Sequence, residues 1–154
     1  MRVSLLCVAN RPSGWLCDAT ERYTKRLPRA WRFSIDLIAP SRRRHSADER
    51  KDEEWQLISK RLRDGDKLVL LDERGKGLTS RKVAAQLAAW QHDGEDLVFV
   101  IGGPDGIAAQ ATRRATATWS VSPMTLPHEL ARLLLVEQLY RAHTLIEGHP
   151  YHRD

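Results

Sequence analysis

Residues 97–106 read Leu97-Val98-Phe99-Val100-Ile101-Gly102-Gly103-Pro104-Asp105-Gly106. A short apolar run rich in β-branched and aromatic side chains, cut off at once by glycine and proline, predicts a strand buried on both faces. Such strands belong to parallel sheets, whose crossover connections lay helices over the sheet. The glycine-rich turn leads into a short helical pattern that ends near Ala115.

The same reading extends outward. Leu68-Val69-Leu70-Leu71 predicts a second buried strand over 67–71, followed by Asp72-Glu73-Arg74-Gly75-Lys76-Gly77 as a turn-forming loop and a helix over 80–92 stopped by Gly94. Upstream, 2–9 predicts a first strand, and Ser13 caps a helix to Leu27 that Pro28 breaks. Trp31, Phe33, Ile35 and Leu37 alternate with polar residues, predicting a half-buried strand over 31–39. Ser46-Ala47-Asp48-Glu49 is a capping box opening a helix to about Arg63. Downstream, 119–122 predicts a short strand. A final helix begins near Thr125, holds Pro127 in its first turn and runs to Ile146 before Gly148. Strands alternating with helices predict one α/β domain spanning 1–154, with a mostly parallel sheet and helices on both faces. Leu133-Leu134-Leu135-Val136 point around the whole circumference of the last helix, so it must be covered on more than one side; a homodimer follows.

A chain of 154 residues with 42% hydrophobic and 29% charged residues has the balance of a soluble globular protein. No apolar run reaches membrane-spanning length, and the N-terminal apolar stretch reads as a strand rather than a signal peptide. Cys7 and Cys17 make no disulfide framework, which places the protein in a reducing cytoplasm. His149 and His152 lack a third ligand, so no metal is expected. A net charge of +5, with Arg42-Arg43-Arg44-His45 as a run, favours a polyanionic partner.

Ligands of open α/β sheets bind beyond the C-terminal ends of the strands, so three loops are the candidates: 71–76, 102–106 and 121–128. The fingerprints of dinucleotide and phosphate loops are both absent. Ser122-Pro123-Met124-Thr125-Leu126-Pro127-His128 is stiffened by two prolines and suits presentation of backbone groups to a flat heterocycle. Glu137 and Arg141 lie four apart and form an intrahelical pair on the plainest reading. Tyr151, His152 and Arg153 combine an aromatic face, a titratable ring and a cation, a set useful for holding a nucleotide.

At these loops the sequence resembles the RlmH family, small SPOUT-class methyltransferases that act on large-subunit ribosomal RNA. The residues that carry the resemblance are Leu71-Asp72 with Gly75-Lys76, Ile101 through Gly106, and Thr125-Leu126-Pro127-His128 with Leu130 and Arg132. Glu137-Gln138 with Tyr140-Arg141-Ala142 and the ending His149-Pro150-Tyr151-His152-Arg153 complete the set. The resemblance covers the whole chain and departs most in the N-terminal third, at Ala9-Asn10-Arg11-Pro12 and the arginine run. It implies a C-terminal trefoil knot and a site for S-adenosylmethionine formed by Leu71, Gly102, Gly103, Val121, Ser122, Pro123, Met124, Thr125 and Leu126. It implies methylation of N3 of a pseudouridine in helix 69 of 23S ribosomal RNA in the ribosome. Within that reaction Arg141 would orient the base, His152 and His128 would accept the proton, and Tyr151 would stack on donor or base. A non-catalytic ribosome- or RNA-binding factor of the same fold is the alternative.

Overall fold

The computed structural model describes residues 1–42 and 46–151; Arg43, Arg44 and His45 of the basic run, and His152 and Arg153 of the tail, lie outside the described residues. Strand β1 (Val3–Val8) is buried along its length between β2 (Ser34–Ile38) and β4 (Leu97–Ile101). On the far side of β4 lie β3 (Lys67–Gly77) and then β5 (Ala117–Ser120), giving the order β2-β1-β4-β3-β5. Every pairing is parallel, one step stricter than the mostly parallel sheet expected.

The crossovers are helices α1 (Gly14–Thr24), α2 (Ala47–Ser59), α3 (Ser80–His92) and α4 (Ala109–Arg114), and α5 (His128–Ile146) follows β5. Because strand side chains alternate between faces, β1 divides the interior in two. Val3, Leu5 and Cys7 join a core with Leu87 of α3 and Leu139 of α5, while Leu6 and Val8 join a second with Ile58 of α2 and Ala111 of α4. The sheet is thus sandwiched between helices, and all its C-terminal strand ends open on one edge.

Most boundaries move little. The capping box at Ser46 and Glu49 is formed in both directions. Ser13 occupies the cap position of α1 without a side-chain hydrogen bond. Helices α1 and α2 end at Thr24 and Ser59, and the chain winds on through i→i+3 bonds such as Leu27 N–H to Thr24 O at 3.2 Å. Trp31 sits in a 3₁₀ turn (Arg29–Trp31) ahead of β2, its Nε1 donating to Gln91 Oε1 at 3.2 Å. Strand β5 begins two residues early, freeing Val121 and Ser122 for the following loop, and Pro127 precedes α5 as its cap.

The loop expected at 72–77 is corrected: β3 continues to Gly77. Leu71 and Lys76 both pair with Trp119, so the residues between them bulge out of the ladder and rejoin it. Polar and glycine residues can stay in a strand here because the hydrogen bonds come from the β5 backbone rather than from side-chain burial. Gly75 is the close approach: a Cβ there would lie 2.6 Å from the Trp119 carbonyl carbon and 2.9 Å from that of Thr118.

Candidate active site

Where β4 and β5 end and β3 bulges after Leu71, the loops surround a cleft of about 420 Å³, a size suited to a small-molecule ligand. Leu71, Gly102, Gly103, Val121, Ser122, Met124, Thr125 and Leu126 line it, together with His128, the first residue of α5. Pro123, exposed between Ser122 and Met124, is not among the lining residues. Eight of the nine residues expected to bind the donor therefore surround one space.

Local chemistry explains the shape. Gly102 turns sharply under its own loop: a Cβ would meet Ile107 Cγ1 at 2.6 Å and Gly106 O at 2.7 Å. The loop after β5 is pinned by Ser120 Oγ donating to Ser122 O at 2.7 Å and Met124 N–H donating to Ser122 Oγ at 2.9 Å. Thr125 Oγ1 donates to Glu73 Oε2 at 2.9 Å, tying that loop to the bulge of β3.

Sequence reasoning missed the charge of this cleft. Asp72, Glu73 and Asp105 put carboxylates on its wall, against the guanidinium of Arg74. Burial pushes the Asp72 carboxyl up, but hydrogen bonds and charge from Arg74 outweigh this and leave it below the ordinary carboxylate range. Asp105 is likewise held low, chiefly by hydrogen bonding from Arg50 of α2, at 2.6 Å (Nε to Oδ2) and 2.9 Å (Nη2 to Oδ1). One turn on, buried Glu54 accepts from Ser41 N–H at 3.1 Å, and burial pushes its carboxyl up. The acids stand in the loops already singled out, and their sign was the available signal. Arg50 and Glu54 carry no local signal, since their partners are remote in sequence.

Arg141 of α5 and Tyr151 of the tail beyond it form a second group. Glu137 Oε1 accepts from Arg141 Nε at 3.0 Å, Arg141 Nη2 at 2.6 Å and Tyr151 Oη at 3.3 Å, so the intrahelical pair is formed and the tail is joined to it. Arg141 also lies over the Tyr151 ring, 5.1 Å from its centroid. Burial, a hydrogen bond with Tyr23 and the charge of Glu137 raise the Tyr151 phenol to about 12, which keeps it a hydrogen-bond donor at neutral pH. Tyr151 N–H donates to His149 Nδ1 at 3.2 Å. Neither Arg141 nor Tyr151 lines the cleft. From His128 to Arg141 the helix rises about 20 Å, so one chain does not bring the two groups together.

Fold and cleft define a parallel α/β protein whose main cleft is lined by loop residues at the carboxyl edge of the sheet. Residues 1–152 match the family model described as "Predicted SPOUT methyltransferase", and the chain belongs to that family. A relative from Alkalilimnicola ehrlichii named "Ribosomal RNA large subunit methyltransferase H" is 43% identical, over 99% of each chain. Relatives of the same name from Hahella chejuensis and Polynucleobacter asymbioticus are 40% and 41% identical, over 100% of each chain. Among solved structures, "a probable methylase family protein from Haemophilus influenzae Rd KW20" superposes with a TM-score of 0.58 at 15% identity, covering 99% of this chain and 70% of that one, which shows likeness of fold.

Proposed function

We propose that this protein transfers a methyl group from S-adenosylmethionine to N3 of a pseudouridine in helix 69 of 23S ribosomal RNA, acting on the assembled ribosome in the cytoplasm. The reading rests above all on the convergence of eight expected donor-site residues on one cleft in a chain whose full-length relatives carry the name of a ribosomal RNA methyltransferase.

The cleft fits the donor. Gly102 leaves no room for a side chain, so its backbone is presented directly, and Leu71, Val121 and Leu126 supply apolar walls for an adenine ring. Asp72 and Asp105 are already paired with Arg74 and Arg50, which leaves the Glu73 carboxylate to face the positive sulfonium and ammonium groups. When bound, the donor supplies an electrophilic methyl group.

The chain's own residues then have three tasks. The N3 proton of the imide must be taken up as the nitrogen becomes nucleophilic, and His128 on the cleft wall and His152 in the tail are the acceptors. Arg141, with a guanidinium nitrogen left over from its Glu137 pair, donates to the carbonyl oxygens flanking N3, where negative charge develops. Tyr151, a neutral phenol, packs against the base and holds it at attack distance.

These groups meet in a homodimer in which the tail of one protomer completes the cleft of the other. Trp15, Met124, Leu130 and Leu134 are 61%, 72%, 37% and 38% exposed, apolar surface that a second copy covers. The chain forms one catalytic unit over 1–154, knotted as a trefoil in its C-terminal half.

The deciding experiment is transfer of labelled methyl from S-adenosylmethionine to ribosomes lacking the modification, with the labelled nucleoside identified by mass spectrometry. Label on pseudouridine is expected. Label on another nucleoside overturns the substrate, and donor binding without transfer to any RNA overturns the reaction.

A further inference from the structure

Helices α1 and α5 lie side by side and run the same way: Tyr23 meets the Tyr140 ring at 6.1 Å, and Trp31, further along the chain, meets His143 at 5.6 Å. At this end of the pair, charge and aromatic surface are layered. Arg26 lies over Tyr140, 5.8 Å from its centroid; Tyr140 meets Tyr151 edge-on at 4.7 Å; Arg141 covers Tyr151 from its own side. Glu137 neutralises Arg141, whereas among the described residues no carboxylate is paired with Arg26.

Arg26 has company. Helix-like winding continues past Thr24 through Arg26 N–H to Tyr23 O at 2.9 Å, so Arg22 and Arg26, four apart, share a face. Arg29 follows in the next turn. All three are exposed, and among the described residues none has a carboxylate partner, whereas their neighbour Lys25 is paired to Glu21 at 2.7 Å. Unpaired guanidiniums in a row beside a tyrosine cluster are what a single-stranded nucleic acid requires: cations for successive phosphates and rings for unstacked bases.

We propose that Arg22, Arg26 and Arg29 form a phosphate-binding strip that guides the RNA strand flanking the target nucleotide onto the Tyr140–Tyr151 platform. The inference rests on the reading of Arg141 and Tyr151 as base-holding groups and assigns α1 to the RNA site. Phosphate contacts of this kind supply affinity and register without reading sequence.

The test compares full-length R22Q/R26Q/R29Q with K60Q/K82Q/R113Q, which removes the same charge from exposed positions at the end of α2 and on α3 and α4. Both are assayed on ribosomes lacking the modification across a salt series, with S-adenosylmethionine affinity and melting temperature measured alongside. The strip variant should raise KM for ribosomes about tenfold or more and lower the slope of log KM against log salt by about 2. Its donor affinity and melting temperature should stay at wild-type values. R26K alone should keep the wild-type slope. Equal changes in the two triple variants, or none in the strip variant, overturn the proposal. If wild-type protein transfers no methyl group, the methyltransferase reading fails. Equilibrium binding of the same ribosomes over the same salt series then decides for or against the strip by the same comparison.

Discussion

Arg50 holds Asp105 through two hydrogen bonds, 2.6 and 2.9 Å long, across 55 positions of sequence. Helix α2 is thereby fastened to the glycine loop that walls the cleft, and Glu54 one turn later fastens the same helix to Ser41. The pair is partly exposed and contributes little to global stability. Its effect is on loop placement. R50A should weaken S-adenosylmethionine binding roughly tenfold by calorimetry with the melting temperature nearly unchanged. R50K, which cannot make the bidentate contact, should recover only part of the loss.

Two glycines should tolerate no side chain. At Gly75 a methyl group would overlap the β5 backbone, and at Gly102 it would overlap Ile107 and the Gly106 carbonyl. Each alanine variant should lose on the order of 1–3 kcal/mol in denaturant unfolding. G102A should also lose donor affinity, whereas G75A should act mainly on stability, since Gly75 does not line the cleft.

The two thiols should differ sharply. Cys17 is exposed and Cys7 is buried, so a thiol reagent should label one cysteine per chain in the native state and both after unfolding. Burial raises the Cys7 thiol to about 12, against a weaker pull from Arg132. A group protonated more tightly in the folded state gives stability that is intact below the unfolded value near 9 and is lost as pH rises toward the folded one. Unfolding free energy should fall by up to about 4 kcal/mol between pH 9 and 12. C7A should remove most of that slope, leaving a smaller decline above pH 10 from Tyr151, which is raised in the same sense.

Mixing two inactive variants tests the shared site. If the tail of one protomer serves the cleft of its partner, dimers of G102A with R141A contain one intact site of two. A statistical mixture should regain roughly one quarter of wild-type activity. A site contained within one chain would regain none.

Much of the fold was legible because parallel strands are written in uninterrupted apolar runs, as at Leu68–Leu71 and Leu97–Ile101, and because the capping box at Ser46 announces its helix. The donor-loop residues were legible by resemblance. The second half of β3 was not: Asp72 through Gly77 read as a turn on any local pattern, and only the return of Lys76 and Gly77 to pairing with β5 carries the strand across the bulge. The acidic wall stood in plain sight at Asp72, Glu73 and Asp105, but which side chains share a cleft is a property of the assembled loops. Arg50, Glu54 and Arg26 were missed for one physical reason. Each acts on a residue 13 or more positions away, and periodicity reports only on nearer neighbours.

The central position of β1 has a consequence for synthesis. Its register partners are Ser34–Ile38 and Leu97–Ile101, so the first six residues to become a strand cannot be flanked on both sides until more than half the chain has been made. Until then a nascent chain carries Val3-Ser4-Leu5-Leu6-Cys7-Val8 with an unfilled hydrogen-bonding edge, the kind of surface that recruits wrong partners. Completion of this sheet therefore requires long-range closure and should come late in synthesis, after β4 has been made.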